Sequence, residues 1–215
     1  MRQRYGFSIF LALAVLAILS AAAAAQEENP IPATHELSGV LGRTFIGDQA
    51  VPSSGQDLHL GRGLSFEIGY GWRWRENPVY SLTAEVPVLF NPDEKLNYFV
   101  NVTPESYKSI FVTPSVRVSF LPHTHLSPWG SLGVGVGHFG SSSKLEFGGG
   151  PNPGKTGSTG AVLQFGGGLD VRMTPVLGLR VEIREYWSGV PQLNVDTGKS
   201  RQGNIFVGSG VIWHF

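Results

Sequence analysis

Apolar side chains recur at every second position along most of this chain. Between residues 64 and 74, every even-numbered residue is apolar or aromatic, whereas the odd-numbered ones are serine, glycine or charged. A period of two is typical of a β-strand with one apolar face, since a helix repeats every ~3.6 residues. The same alternation, or a close variant of it, returns in residues 36–47, 80–88, 110–120, 131–136, 163–171, 179–184 and 205–215. The sequence therefore predicts little helix and eight strands, each long enough to cross a bilayer at a tilt.

The first predicted strand has an ambiguous facing. Val40 and Ile46 fall on one side of residues 36–47, while Leu41 and Phe45 fall on the other. Because both sides carry large apolar groups, alternation alone does not predict which side of this strand is outside.

The connections between the predicted strands alternate in length. The long ones are residues 48–62, 91–107, 141–158 and 188–202, and the short ones are 75–78, 121–127 and 173–175. Short turns at one end and long loops at the other are typical of bacterial outer-membrane barrels. A soluble lipocalin-like barrel is the alternative, but it places its apolar residues inside. We therefore predict an all-β, eight-stranded antiparallel up-and-down transmembrane β-barrel with four long extracellular loops and three short periplasmic turns.

The amino terminus has the layout of a secretory signal peptide. Arg2 and Arg4 precede an almost wholly apolar stretch, residues 7–19, and a run of alanines ends at Ala25. This order predicts cleavage after Ala25 and export from the cytoplasm. The alternative is a retained anchor, because residues 6–25 are just long enough to span a bilayer. We expect a signal peptide at 1–25, a short periplasmic segment at 26–35 and a barrel domain at 36–215.

The composition excludes several classes of protein. Lys and Arg number 16 against 16 Asp and Glu, so the chain lacks the basic excess expected of a nucleic-acid-binding protein. The chain has no cysteine, which excludes disulfide scaffolds, zinc–cysteine sites and thiol catalysis. Charged residues are only 15% and glycines number 29, and both values suit a narrow barrel interior with little space for side chains.

Charged side chains fall on the face opposite the apolar one. In a barrel of eight strands this face lines a lumen that side chains nearly fill, so buried charges there are expected to pair. The sequence predicts a plugged, rigid polar core, and the alternative is a narrow pore gated by Arg–Glu pairs. The predicted interior network consists of Glu67, Arg73, Glu85, Arg117, Asp170, Arg172, Arg180, Glu182 and Arg184.

The tryptophans lie near the ends of the predicted strands. Trp72, Trp74, Trp129 and Trp213 fall at the short-turn end, and Trp187 falls at the long-loop end. Aromatic girdles at both membrane interfaces are typical of transmembrane barrels, so we predict these five as interface aromatics. The alternative is that they cap the core of a β-sandwich.

Two glycine motifs match nucleotide-binding patterns without the expected context. Residues 149–156 fit the phosphate-loop pattern, and residues 135–140 fit the dinucleotide pattern G-x-G-x-x-G. Both patterns need a helix immediately afterwards, and neither is followed by a helical sequence. We interpret 149–156 as an extracellular loop and the glycines of 135–140 as space for neighbouring side chains, and we predict no nucleotide site.

One short segment hints at a nucleophile and a base. Ser127 follows His125 by two residues, with His123 nearby, and Glu146 is the candidate for the third member of a catalytic triad. The histidines and the serine fall in a predicted short turn, whereas Glu146 falls in a long loop at the other end of the barrel. Members of a catalytic triad must lie within hydrogen-bond reach, so we predict a solvated turn and no catalytic residue.

The end of the chain resembles a known group of proteins. The last strand carries Val211, Trp213 and Phe215 on one face, and residues 166–175 with 179–186 are similar to the last hairpin of small bacterial outer-membrane β-barrel proteins. That family includes the transmembrane domain of outer membrane protein A. The resemblance implies a bacterial outer-membrane location, recognition of the last strand by the barrel-assembly machinery, and contact with outer-membrane lipid and lipopolysaccharide.

The function predicted from these observations is non-enzymatic. We expect a monomeric integral barrel with a structural, envelope-integrity or surface-interaction role, with no cofactor, metal, nucleic acid or nucleotide. One alternative is a narrow channel for small solutes, either a polar pore or a hydrophobic conduit like that of the outer membrane protein W family. A third hypothesis is a lipid A-modifying enzyme, since the segment around His125 faintly resembles that of the lipid A deacylases.

Overall fold

All regular elements in the described part of the chain are β-strands. The computed structural model describes residues 34–52, 55–60, 63–97, 102–146, 149–191, 194 and 197–215. Within these ranges no helix is long and apolar enough to cross a membrane. The predicted signal peptide and most of the predicted segment 26–35 lie outside the described residues.

Eleven strands follow one another along the described chain. Eight wall units, with β6 and β7 counted as one, form the barrel, and β2 and β3 pair with each other within the connection from β1 to β4. The strands are β1 (His35–Ile46), β2 (Gln49–Val51), β3 (Gln56–Leu60), β4 (Leu64–Glu76), β5 (Tyr80–Asn97), β6 (Ser106–Val112), β7 (Ser115–Phe120), β8 (Leu126–Ser141), β9 (Gly157–Arg172), β10 (Leu177–Gly189) and β11 (Arg201–His214).

The wall closes on itself through its first and last strands. Each wall strand pairs antiparallel with its neighbours in sequence, and β1 pairs with both β4 and β11. Leu37 thus lies opposite Tyr70 on one side and Trp213 on the other. Closure leaves no free sheet edge, which is what a β-structure in lipid requires. The predicted eight-stranded antiparallel barrel is confirmed.

Strands β6 and β7 are two halves of one wall strand. Val112 at the end of β6 faces Val88, and Ser115 at the start of β7 faces Glu85, so the register on β5 is continuous across the gap. Pro114 lies in the gap and has no N–H to donate to the ladder. The interruption is therefore in the hydrogen bonding and not in the path of the strand.

The long and short connections lie at opposite ends of the barrel. Residues 47–63, 98–105, 142–156 and 190–200 connect strands at one end, and 77–79, 121–125 and 173–176 connect them at the other. The second long connection is shorter than the predicted 91–107, because β5 continues to Asn97 and pairs with β6 through Asn91–Ser109 and Lys95–Ser106. These pairs extend the strands beyond the predicted loop boundary.

The outer wall is apolar, as the alternation predicts. Leu132 is 60% exposed and Val134 is 65% exposed, although both are large aliphatic residues. The ambiguity in β1 is resolved, since Leu37 and Leu41 point outward while Val40 and Ile46 are buried inside. A lipocalin would have the opposite arrangement.

Candidate functional site

The charged cluster inside the barrel has an upper half, nearer the long connections, and a lower half, nearer the short turns. Arg184 is the centre of the upper half. Its Nη1 donates to Glu85 Oε1 at 2.8 Å and its Nε donates to Glu182 Oε2 at 3.2 Å. Glu67 Oε1 lies 3.3 Å from the same Nε, and the hydroxyl of Tyr186 donates to Glu67 Oε2 at 2.6 Å. One guanidinium therefore links carboxylates from three different wall strands, all fully buried.

Arg117 and Arg180 form the lower half of the same cluster. Arg180 makes a bidentate pair with Asp170, with both N–O distances at 2.8 Å, and Arg117 pairs with Glu36. Arg117 also lies 3.6 Å from Glu85, which joins the two halves. Sequence reasoning missed Glu36, because the facing of its strand was ambiguous.

Trp129 lies inside the barrel, so its predicted place among the interface aromatics is wrong. It is only 4% exposed, and its indole Nε1 donates to Asp170 Oδ1 at 3.1 Å. The guanidinium carbons of three arginines lie over the ring, 4.9 to 5.6 Å from its centroid, and belong to Arg117, Arg180 and Arg184. The signal was available in the sequence, because Trp129 is an odd number of residues from the outward Leu132 and so faces inward.

Glycine on the neighbouring strand makes room for this ring. Gly168 lies directly opposite Trp129, and a Cβ on Gly168 would approach Cζ2 of the indole to 2.6 Å. Gly166 is similar, since its Cβ would lie 2.9 Å from Cγ of Arg184. The glycines of β9 are therefore part of the packing of the charged cluster.

Arg73 and Arg172 lie below the charged cluster, at the short-turn end. Arg73 Nη1 pairs with Glu76 Oε2 at 2.7 Å, and Arg172 donates to the carbonyl of Pro122 in the turn 121–125. His123 of that turn has its Nε2 3.4 Å from Glu76 Oε1. A cavity of about 30 Å³ remains between these groups and the cluster, which is enough to hold ordered water.

An apolar layer crosses the lumen above the charged cluster, which corrects the expectation of a wholly polar interior. Phe111 stacks on Tyr186 with centroids 5.2 Å apart and meets Phe139 edge-on at 5.6 Å. Leu89 and Phe206 are fully buried in the same layer. Alternation does not reveal this layer at Leu89, Phe111 and Phe206, because the outward residues beside these positions are also apolar.

Glycine at an inward position of β8 creates the space for the aromatic layer. A Cβ on Gly137 would lie 2.7 Å from the ring of Phe111. Gly137 belongs to the motif 135–140, and here its role is packing. The chain then continues in strand β8 and not in a helix.

A polar layer lies above the aromatic one. Thr44 donates to Asn91 at 2.7 Å, and Asn91 donates to Ser109 at 2.7 Å. On the adjoining strand β11, Gln202 accepts a hydrogen bond from Gln49 at 2.6 Å and donates to Asn204 at 2.7 Å. The lumen is thus filled by a charged, an aromatic and an amide–hydroxyl layer in succession.

The segment around Ser127 is not arranged as a nucleophile and base. The Ser127 hydroxyl donates to the carbonyl of Phe120 at 2.8 Å, while the ring of His125 faces the carbonyl of Arg172 at 3.4 Å. Glu146 lies at the opposite end of the barrel, where it accepts a hydrogen bond from Thr103.

The phosphate-loop match lies in the connection between β8 and β9. Strand β9 begins at Gly157, directly after the motif, where a phosphate-binding loop would have a helix. In the described part of the chain, no group of three or more His, Asp or Glu side chains is placed to hold a metal ion.

The other four tryptophans face outward near the ends of their strands. Trp72, Trp74 and Trp213 are about half exposed at the short-turn end, and Trp187 is 43% exposed at the other end. The ring of Phe215 packs at a tilt against Trp213, with centroids 5.2 Å apart. Together with Val211, these two residues form an exposed apolar row along the end of β11 and the residue that follows it.

A closed antiparallel wall that is apolar outside and ion-paired inside defines a transmembrane β-barrel. The family described as outer membrane protein beta-barrel domain matches residues 11–210, and the chain belongs to this family. Membership places the protein in the bacterial outer membrane, and the resemblance to small outer-membrane barrels is confirmed.

Solved structures of several outer-membrane barrels are similar to this one. Neisserial surface protein A is 16% identical, with 85% of this chain and 97% of that chain covered and a TM-score of 0.53. The N-terminal β-barrel domain of Pseudomonas aeruginosa OprF is 11% identical, with coverages of 85% and 98% and a TM-score of 0.49. At such low identity the similarity shows the fold alone. No curated protein matches the sequence significantly.

Proposed function

We propose that the protein is a non-enzymatic structural barrel that acts through its outer wall and its long connections. The observation that carries this proposal is the filled lumen. Trp129 and three arginines occupy the lower half of the interior, and the aromatic layer around Phe111 crosses the upper half. We place the long connections outside the cell, as in other barrels of this type.

The aromatic layer weighs against the alternative of a narrow channel. A polar pore needs a continuous path of water or polar groups, and Phe111, Phe139 and Tyr186 interrupt that path. The charged layer below is also closed, because each guanidinium is held by at least two carboxylates. Opening either layer would leave buried charges or aromatic rings without their partners.

Conductance in planar bilayers tests the proposal. We expect no discrete openings across a range of voltages from protein whose folding has been verified by heat-modifiable migration on a gel. Recurrent openings of a fixed amplitude, scaling with protein concentration, would favour the channel instead.

The placement of Ser127 supports a non-enzymatic role. Its hydroxyl is engaged by a backbone carbonyl and is not hydrogen-bonded to His125, so it lacks the general base that a serine nucleophile needs. Mass profiles of lipid A from cells with and without the protein provide the test. We expect identical profiles, and a changed number of acyl chains would favour the enzyme.

Export and processing belong to the same proposal. We expect the signal peptide to be removed after Ala25, so the intact mass of protein purified from outer membranes corresponds to residues 26–215. A mass that includes residues 1–25 would indicate a retained anchor.

A further inference from the structure

The outer wall has a groove at the end that carries the long connections. Its volume is about 430 Å³, within the range of roughly 300–1,000 Å³ typical of small-molecule sites. Strands β8, β9, β10 and β11 all contribute to it. The side chains that line the groove are Val134, Val136, Ala161, Leu163, Trp187 and Arg201.

Small residues around one large ring create this groove. Trp187 lies opposite Leu163 on β9 and Gly203 on β11, and the next outward position of β10 is Gly189. A Cβ on Gly189 would meet no atom within 4 Å. Ala161 of β9 also has only a methyl group. The hollow beside the indole is therefore built into the sequence.

Arg201 provides a cation at the upper edge of the groove. Its guanidinium carbon lies 5.7 Å from the centroid of the Trp187 ring, so the indole holds the arginine by a cation–π contact. Among the described residues, no carboxylate lies within 4 Å of Arg201. The carboxylate of Glu185 lies beside Gly203, at the level of Trp187, and forms no ion pair with Arg201. The site thus combines an apolar floor with one cation that forms no ion pair with the described carboxylates.

We infer that this groove binds lipid A, with an acyl chain against Val134, Val136 and Leu163 and a phosphate on Arg201. This inference rests on the proposed orientation, which turns the groove toward the outer leaflet. Charge complementarity selects the occupant, because a guanidinium forms strong charge-assisted hydrogen bonds with phosphate oxygens.

Native mass spectrometry of the folded protein in detergent micelles tests the inference by titration with purified lipid A. We expect Arg201→Gln to weaken binding about tenfold, the effect of one lost charge-assisted hydrogen bond. Ala161→Phe fills the hollow without removing the charge and is expected to weaken binding to a similar extent. Phosphatidylglycerol, which also has a phosphate and acyl chains, is expected to compete poorly.

Arg43→Gln is the matched control. Arg43 is exposed on the outer wall at the same end of the barrel, but it does not line the groove. We expect binding by this variant to be unchanged. Equal losses in Arg43→Gln and Arg201→Gln would overturn the inference in favour of a general effect of positive charge. Unchanged binding by Arg201→Gln, or equal competition by phosphatidylglycerol, would overturn it as well.

A separate measurement tests the orientation. The chain has no cysteine, so Lys199→Cys in the connection 190–200 provides a unique label site. We expect a membrane-impermeant maleimide to label this variant on intact cells. Failure to label would contradict the proposed orientation, whereas binding in micelles does not depend on orientation, so the two failures are distinguishable.

Discussion

The indole of Trp129 donates a hydrogen bond to Asp170, with 3.1 Å between the two heavy atoms. Asp170 is at the same time the bidentate partner of Arg180. The ring of Trp129 therefore lies among three guanidiniums and makes cation–π contacts with them. The neutral, planar indole thus occupies the space that separates the three cations.

Removal of this ring is expected to destabilise the barrel without opening it. Trp129→Ala should lower the free energy of unfolding by about 3–5 kcal/mol, as for other large aromatic side chains deleted from a core. Conductance should still be absent, because the aromatic layer around Phe111 is intact. Openings in this variant would show that the aromatic layer is no barrier.

Arg184 and Glu182 are expected to respond very differently to neutralisation. Arg184→Met leaves Glu67, Glu85 and Glu182 without their shared cation and should cost about 3–5 kcal/mol of unfolding free energy. Glu182→Gln leaves Arg184 with two carboxylates, so its cost should be below about 1 kcal/mol. Urea unfolding in lipid vesicles measures both values. Equal losses would contradict the central position of Arg184.

Two glycines of β9 provide a matched pair for the packing of the lumen. Gly168→Ala places a methyl group against the carbonyl oxygen of Val181 and 2.6 Å from the indole of Trp129, and it should destabilise the barrel by about 1–3 kcal/mol. Gly160→Ala adds its methyl where no atom lies within 4 Å, so its effect should be neutral or a gain of less than about 1 kcal/mol. The midpoints of urea unfolding of the two variants provide the measurement. A larger loss of stability in Gly160→Ala than in Gly168→Ala would refute this account of the packing.

Charge on the outer wall is expected to be tolerated only near its ends. Leu132 lies in the middle of β8 and Leu177 begins β10 at the short-turn end, and both side chains are exposed. In vesicles Leu132→Arg should cost about 2–4 kcal/mol and Leu177→Arg about 0–1 kcal/mol. A soluble barrel would show no such difference, so equal and small costs would count against a lipid-facing wall.

Much of the fold was predictable from alternation because lipid imposes a strict rule on one face. Every outward position in the middle of a wall strand must be apolar or small, so residues such as Phe66 and Ile68 identify their strand and its facing together. The charges opposite them, including Glu67, then had to be inside.

The interior was less predictable because no comparable rule governs it. Leu89 and Phe111 lie inside beside outward apolar neighbours, so both faces look alike in the sequence. Glu36 was missed for the same reason on β1. Trp129 could have been assigned by its odd spacing from Leu132, but its place near a strand end suggested an interface. Which arginine meets which acid depends on the register of the wall, and alternation does not specify register.

His35 and Phe215 exchange two backbone hydrogen bonds, at 3.1 and 2.9 Å, where β1 meets β11. This seam has the same ladder as any other pair of neighbours, so the wall has no structurally special first strand. A circular permutation that joins Phe215 to Thr34 through a short added linker and opens the chain within residues 190–200 would preserve every pairing of the wall. It would also move Trp213 and Phe215 away from the carboxyl terminus. The permuted protein would therefore show whether these residues are needed for the stability of the folded barrel or for its insertion into the membrane.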